Sequence, residues 1–277
     1  MGLDPHPGRI PASFGPVGTA EAAERFCIAI VDRLVGRVPI IKPQIAFFEQ
    51  LGWPGLRALT AVVERARAAG MLVLLDAKRG DIGSTAAGYA AAYLAPGAPL
   101  EVDAITLNPY LGLDTLEPFA AMAEEAGRGV VVLVKTSNPG SGDLQDLGVG
   151  EASVYETLAG ALEPLSARLL GVQTGWSSLG VVVGATWPKQ HDSVRERLPN
   201  SLFLVPGYGA QGASAKDAVR GFVPGPNGLE GGIVNSSRGV TFPDAGRDAS
   251  ARAWEQAIDD ALTRAIGELQ DATAASG

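Results

Sequence analysis

Short apolar runs alternate with longer amphipathic stretches along the 277-residue chain. Strands are expected at Val38–Ile41, Met71–Leu75, Ala104–Leu107, Val130–Val134, Val181–Val183, Leu202–Val205 and Gly232–Val234. Each run is almost continuously apolar, the pattern of parallel strands covered on both faces. Helical spacing fills the gaps, including Glu21–Leu34, Gly55–Ala69, Ser84–Leu94, Leu113–Glu125, Val154–Arg168 and Ala249–Leu269. Ser84 opens the third of these, and Pro96 and Gly97 close it. This alternation implies β/α units on a parallel sheet. Counting Met1–Asp4 as a stub of strand one gives eight strands, which favours a closed (β/α)₈ TIM barrel over an open doubly wound sheet. No convincing linker interrupts the pattern, so residues 1–277 are expected to form a single barrel domain, with Pro224–Gly228 as a clear loop. Only three residues precede Asp4. Either the true start lies upstream, or strand one is short and the barrel's bottom is less well covered.

Composition narrows the function classes. Apolar residues make up 46% and charged residues 19%, enough for a core and no sign of disorder. A net charge of −8 and a pI near 4.9 argue against a nucleic-acid surface, which needs a basic stripe. No run of 18 apolar residues appears and the N-terminus lacks a signal-peptide pattern, so a cytoplasmic protein is the simplest reading. Cys27, the sole cysteine, is expected to be an ordinary buried thiol.

In a barrel of this kind functional side chains gather at the C-terminal ends of the strands. Asp4 follows the first run, Lys42 the second, Asp76 and Lys78 the third, Asn108 the fourth, and Lys135 to Ser137 the fifth. Gly207–Gly212 follows the seventh and Asn235–Arg238 the eighth, so the polar residues converge on one site. In LLDAKRGDIGST, strand alternation puts Asp76 and Lys78 on one face, with Asp81 three residues beyond. With Lys42 this makes two lysines and two aspartates. Charge spacing alone leaves a structural ion-pair network open, although four buried charges without a task are costly.

The loops after the last two strands of such barrels often bind phosphate through backbone N–H groups. Here they read VPGYGAQG and NSSRG, with Gln211 and Arg238 as side-chain donors. Gly207, Gly209 and Gly212 also match the dinucleotide fingerprint G-x-G-x-x-G. That match is read as a decoy, because it comes late and opens only a short helix. His6 and His191 lack metal-ligand spacing, and no G-x-S-x-G elbow occurs. Asn235-Ser-Ser matches a glycosylation sequon by chance, and Trp53, Trp176, Trp187 and Trp254 read as packing residues.

Taken together, GLDPHP, IIKPQIAFFEQLG, LLDAKRGDIGSTA, TLNPYLG, KTSNPGSGDLQDL, GVVVGAT, LVPGYGAQGA and NSSRG span most of the chain. In this order they resemble the orotidine 5′-monophosphate decarboxylases, specifically the bacterial subgroup carrying D-A-K-R-G-D. The departures are a missing upstream helix and a shortened first strand. The resemblance implies decarboxylation of orotidine 5′-monophosphate (OMP) to UMP without metal or cofactor, by homodimers with shared active sites. It makes Lys42, Asp76, Lys78 and Asp81 a catalytic Lys–Asp–Lys–Asp array, with Lys78 the proton donor to C6 and Asp76 beside the leaving CO₂. Asp81 matches the aspartate contributed across the dimer interface, and Thr85 the neighbouring ribose-contacting threonine. Asp4 and Lys42 match ribose-hydroxyl contacts and Ser137 the pyrimidine-amide contact. Pro206 lies in the loop closing over the substrate, and Gln211 and Arg238 match the phosphate ligands. Loops 137–147 and 206–228 are then natural lids. Two rivals stand beside this reading: a sugar-phosphate lyase or aldolase using D-x-K-x-x-D with Mg²⁺, and a non-catalytic phosphate-ligand binding barrel.

Overall fold

The structure, a computed structural model, describes residues 1–209, 211–243 and 250–274. Eight parallel strands form its sheet: β1 (Gly2–Leu3), β2 (Ile40–Pro43), β3 (Leu72–Arg79), β4 (Ala104–Leu107), β5 (Gly129–Lys135), β6 (Ser177–Val183), β7 (Ser201–Val205) and β8 (Gly232–Val234). They are hydrogen-bonded in chain order. The sheet curls back on itself: the Gly2 N–H donates to the Ser236 carbonyl at 2.7 Å, joining the first strand to the last. A Cβ on Gly2 would lie 2.7 Å from that of Ser237, so closure requires glycine there. Around the sheet run α1 (Ala20–Leu34), α2 (Gly52–Ala68), α3 (Gly83–Leu94), α4 (Glu117–Ala126), α5 (Val154–Arg168), α6 (Pro188–Arg197), the short α7 (Ala215–Ala218) and α8 (Ala251–Ala274). The architecture is the expected (β/α)₈ barrel.

The apolar runs divide into two cores by strand parity. Leu74, Val131, Val182 and Leu204, with Ile40, Ala104, Leu133 and Ile233, pack inside the barrel. Their neighbours Ile41, Val73, Leu75, Ile105, Val130, Val132, Val181 and Phe203 join the outer core, whose helical members include Phe26, Ile30, Leu59, Val62 and Phe119. A period of two then carries the inward face upward to the mouth. Ile40 is followed by Lys42, Leu74 by Asp76, Ala104 by Thr106 and Leu204 by Pro206. Burying the barrel interior therefore aims these four side chains at one place.

Some elements differ from the sequence expectation. α6 was not expected, because PKQHDSVRER is polar and buries only His191 and Val194. α4 is preceded by a 3₁₀ turn at Leu113–Leu116. α8 runs on to Ala274, while its expected first residue, Ala249, lies outside the described residues, as does Ala210 of the loop after β7. Trp53 is 71% exposed at the start of α2 and is not a packing residue. Cys27 is fully buried, and burial pushes its thiol well above its ordinary range.

His191 holds two layers together. Its Nε2 faces the Gly184 carbonyl at 3.0 Å, and Nδ1 accepts from the Gly221 N–H at 3.2 Å, so the neutral ring is wanted. Burial keeps its pKa below the ordinary value. The neutral ring's contribution is thus full above the unfolded value of about 6.5 and is lost as pH falls below it. Stability by urea titration should decline from about pH 7 to about pH 5.5. In His191→Gln the curve should be lower throughout and flatter across that window. An unchanged slope in the variant would remove His191 as the source.

Candidate active site

At the C-terminal mouth of the barrel, two ammonium groups share one carboxylate. Lys42 Nζ donates to Asp76 Oδ2 at 2.6 Å, Lys78 Nζ donates to Oδ1, and the Thr106 hydroxyl donates to Oδ1 at 3.2 Å. Lys42 is 7% and Asp76 8% exposed, whereas the Lys78 side chain is 46% exposed and reaches toward solvent. Burial alone would raise the Asp76 pKa, but the charges and hydrogen bonds of Lys42 and Lys78 outweigh it and bring it down to about 2. Asp76 is therefore ionised at neutral pH, with both oxygens engaged.

Simple alternation puts Asp76 and Lys78 on one face, and they do meet, but by way of a bulge. Leu75 pairs with Ile105 and Arg79 with Leu107, so β3 spends two more residues than β4 over this stretch. Lys78 has φ 49°, the left-handed region, where it is alone among the described non-glycine residues. The Thr106 hydroxyl accepts from the amides of Ala77 (2.9 Å) and Lys78 (2.8 Å), which the bulge removes from the ladder. Arg79 turns away to pair with Glu49 and donates to the Tyr93 hydroxyl at 3.4 Å. A Cβ on Gly80 would come within 2.6 Å of the Asn108 carbonyl, so only glycine passes that strand end. Asp81 leaves the mouth altogether and accepts from the Ile82 N–H at 2.8 Å, at the start of α3.

Above the interior residues Leu133, Val182 and Leu204 opens a cavity of about 690 Å³, the size of a small-molecule site. Lys42, Asp76, Lys78, Ser137 and Pro206 all line it, together with Thr106, Asn108, Gln145 and Tyr155. α5 delivers Val154 and Tyr155 from its first turn, which a Ser153–Glu156 capping box secures. Ser137 is held from behind: a Cβ on Gly184 would lie 2.7 Å from the Ser137 Cα. Gly207, at φ 100°, lies between Ser137 and Gln211; its Cβ would be 3.3 Å from each side chain.

The other expected site residues lie outside the cavity lining. Asp4 accepts from the Ser237 hydroxyl through Oδ2, while Oδ1 is buried with no partner among the described residues. Gln211 is exposed on the loop after β7, and Arg238 is exposed as the first residue of a short helix (Arg238–Thr241) after β8. Asp81 is partly buried and Thr85 exposed, and neither lines the cavity. Among the described residues, no three His, Cys, Asp or Glu side chains cluster as a cation site, and no helix is long and apolar enough to cross a membrane.

A family profile described as "Orotidine 5'-phosphate decarboxylase / HUMPS family" matches residues 2–253. The chain belongs to this family. It is 42% identical over 282 residues to the orotidine 5′-phosphate decarboxylase of Rhodopirellula baltica, covering 98% of this chain and 92% of that one. The Roseiflexus castenholzii enzyme of the same name is 40% identical over 268 residues, with 96% and 92% covered. Among solved structures, Leishmania donovani OMP decarboxylase superposes with a TM-score of 0.77 at 34% identity, covering 98% of this chain and 92% of that one.

In this member of the orotidine 5′-phosphate decarboxylase family, sequence reasoning passed over Thr106, Gln145 and Tyr155. Parity offered a signal for Thr106, since Ala104 faces the interior two residues earlier. Gln145 and Tyr155 come from helical residues, the first in the short turn Gly142–Gln145 and the second in α5, where no strand period applies. Thr106→Val keeps the shape but orphans two backbone N–H groups, and should cost about 1–3 kcal/mol of stability in a urea titration. Thr106→Ser should lose much less. A larger loss in Thr106→Ser than in Thr106→Val would show that the methyl group, not the hydroxyl, secures the bulge.

Proposed function

We propose that the chain decarboxylates OMP to UMP and CO₂, the step that completes UMP in pyrimidine biosynthesis. The observation that carries this reading is the Lys42–Asp76–Lys78 array at the wall of the 690 Å³ cavity. Loss of CO₂ leaves a carbanion at C6 that no simple enolisation delocalises. A fixed ammonium beside C6 stabilises that charge and then protonates it. Lys78 suits this role, being the more exposed of the two lysines and held to Asp76 by its own charge. Asp76, ionised throughout, sits beside the substrate carboxylate and repels it. At about 4 Å and an effective dielectric near 20 this is roughly 4 kcal/mol, or about a thousandfold in rate. Binding energy from the remote phosphate holds the pyrimidine against that repulsion.

In this reading Asp4 and Lys42 bind the ribose hydroxyls, Asp4 through its unpartnered Oδ1. Ser137 binds the pyrimidine amide, Gln211 and Arg238 bind the phosphate, and Pro206 belongs to the loop that closes. Asp81 and Thr85 complete the site of a second subunit, which is why neither turns into its own cavity. Support for a homodimer comes from the outward face of α3, where Ser84, Thr85, Ala87, Gly88, Ala91 and Ala92 are exposed and small. Ile82 and Tyr110 add exposed apolar surface, at 61% and 76%.

Purified protein should deplete the orotidylate absorbance, equally with and without EDTA. Lys78→Ala should abolish that turnover while UMP binding stays measurable by calorimetry. Substantial turnover by the variant would remove Lys78 as proton donor, and sensitivity to EDTA would favour the metal-dependent lyase. The shared site has its own test, by mixing Lys78→Ala and Asp81→Ala subunits. A heterodimer then holds one site with both lesions and one with neither. With complete exchange about half the dimers are mixed, so roughly a quarter of wild-type activity should return by symmetry. No recovery despite demonstrated exchange would mean that Asp81 serves its own barrel.

A further inference from the structure

Strand parity directs Lys135 into the cavity, two residues after Leu133 and four after Val131. It is not there. The β5–β6 register slips between Leu133 and Lys135, and the ammonium ends fully buried outside the cavity lining. Its Nζ donates to Asp146 Oδ1 at 2.6 Å and to the Ser141 hydroxyl at 3.3 Å. The Trp187 and Tyr155 rings flank it, with centroids 4.9 and 5.7 Å away.

Asp146 stands at the far end of the loop that begins directly after Lys135, and it is the carboxylate the buried ammonium pairs with. The loop is drawn shut by further bonds. Gln145 Oε1 accepts from the Thr136 N–H at 3.0 Å, and Trp187 Nε1 donates to the Thr136 carbonyl at 2.9 Å. The Thr186 hydroxyl donates to the Ser137 carbonyl at 3.0 Å. Ser137 and Gln145, which line the cavity, are thereby set by contacts made behind it.

We propose that Lys135 is a positioning residue whose ammonium tethers Asp146, holding loop 136–147 in the pose that presents Ser137 and Gln145 to the bound nucleotide. This rests on the reading of the cavity as the OMP site. If the loop lifted away, a fully buried cation would be left among aromatic faces without its counter-charge, and that cost disfavours the open forms. A merely structural lysine behaves differently. Replacing a buried ion by an apolar side chain of similar volume is often neutral or stabilising, so fold stability and loop order should separate here.

The test uses Lys135→Met, which keeps the volume, and Asp146→Asn, whose side chain is 42% exposed and whose substitution leaves the core intact. The melting temperature of Lys135→Met should stay at or near the wild-type value, whereas Asp146→Asn, which leaves the buried ammonium unpaired, should melt lower. Amide exchange across 136–147 should quicken by roughly tenfold or more in both variants, while β3 and β6 stay protected. KM for OMP should rise about tenfold with kcat changed far less, and Asp146→Glu should recover part of the loss. Exchange requires no turnover. A wild-type protein that failed to decarboxylate OMP would overturn the functional reading, while the exchange data would still decide the tether. Unchanged exchange in both variants would overturn the tether whatever the kinetics. Faster exchange with unchanged KM would overturn the positioning role and leave Lys135 a packing residue. Should Lys135→Met fail to fold, Asp146→Asn alone decides by the same readouts.

Discussion

Asp76 is a carboxylate with little access to water, kept ionised by ammonium groups that arrive from its own strand and the one beside it. Removing either partner of such a buried pair is typically destabilising by about 3–5 kcal/mol, because the remaining charge is left uncompensated. The rest of the mouth serves that contact. β2 and β3 bring Lys42 and Asp76 into reach through the same parity that buries Ile40 and Leu74. β4 supplies Thr106, which binds the carboxylate and at the same time caps the bulge that returns Lys78 to it. Arg79, the next residue, is tied outward to Glu49 and cannot compete for Asp76. Within this chain the array carries a net single positive charge, which suits an anionic ligand. A second carboxylate supplied from outside, as proposed for Asp81, would bring it to neutrality.

Much of this was legible in the chain because burial and chemistry follow one period. Ala104–Leu107, Gly232–Val234 and Val154–Arg168 were located to the residue, since apolar runs and helical spacing are strong where both faces or one long stripe are buried. The convergence of Lys42, Asp76, Lys78, Ser137 and Pro206 follows from reading the residue that ends each run. α6 was not legible, because a helix that buries only an imidazole and a valine has almost no apolar stripe. The positions of Asp81 and Thr85 outside the cavity were not legible from spacing either: three residues past Lys78 leave both outcomes open for Asp81, which bonds the Ile82 N–H instead, and the first turn of α3 carries Thr85 away.

The register shifts at Leu75/Arg79 and Leu133/Lys135 show that parity alone does not decide which carboxylate a strand-end lysine meets. Regular alternation along β5 would add the Lys135 ammonium to the mouth where Lys42 and Lys78 already face Asp76. Three ammoniums around one carboxylate would leave two unit charges uncompensated. At a separation of about 4 Å and an effective dielectric near 20, each like-charge pair costs roughly 4 kcal/mol. The slip after Leu133 removes that conflict by turning Lys135 toward Asp146, while the bulge after Leu75 does the opposite and returns Lys78 to the mouth. One backbone device, used on two strands in opposite senses, sorts the strand-end lysines into one that faces the cavity and one that faces the loop behind it. The amino-acid types at these ends establish that cations are present. Which carboxylate each one meets depends on local strand irregularity, and the Thr106 hydroxyl that stabilises the first bulge is the feature a reading confined to charged residues passes over.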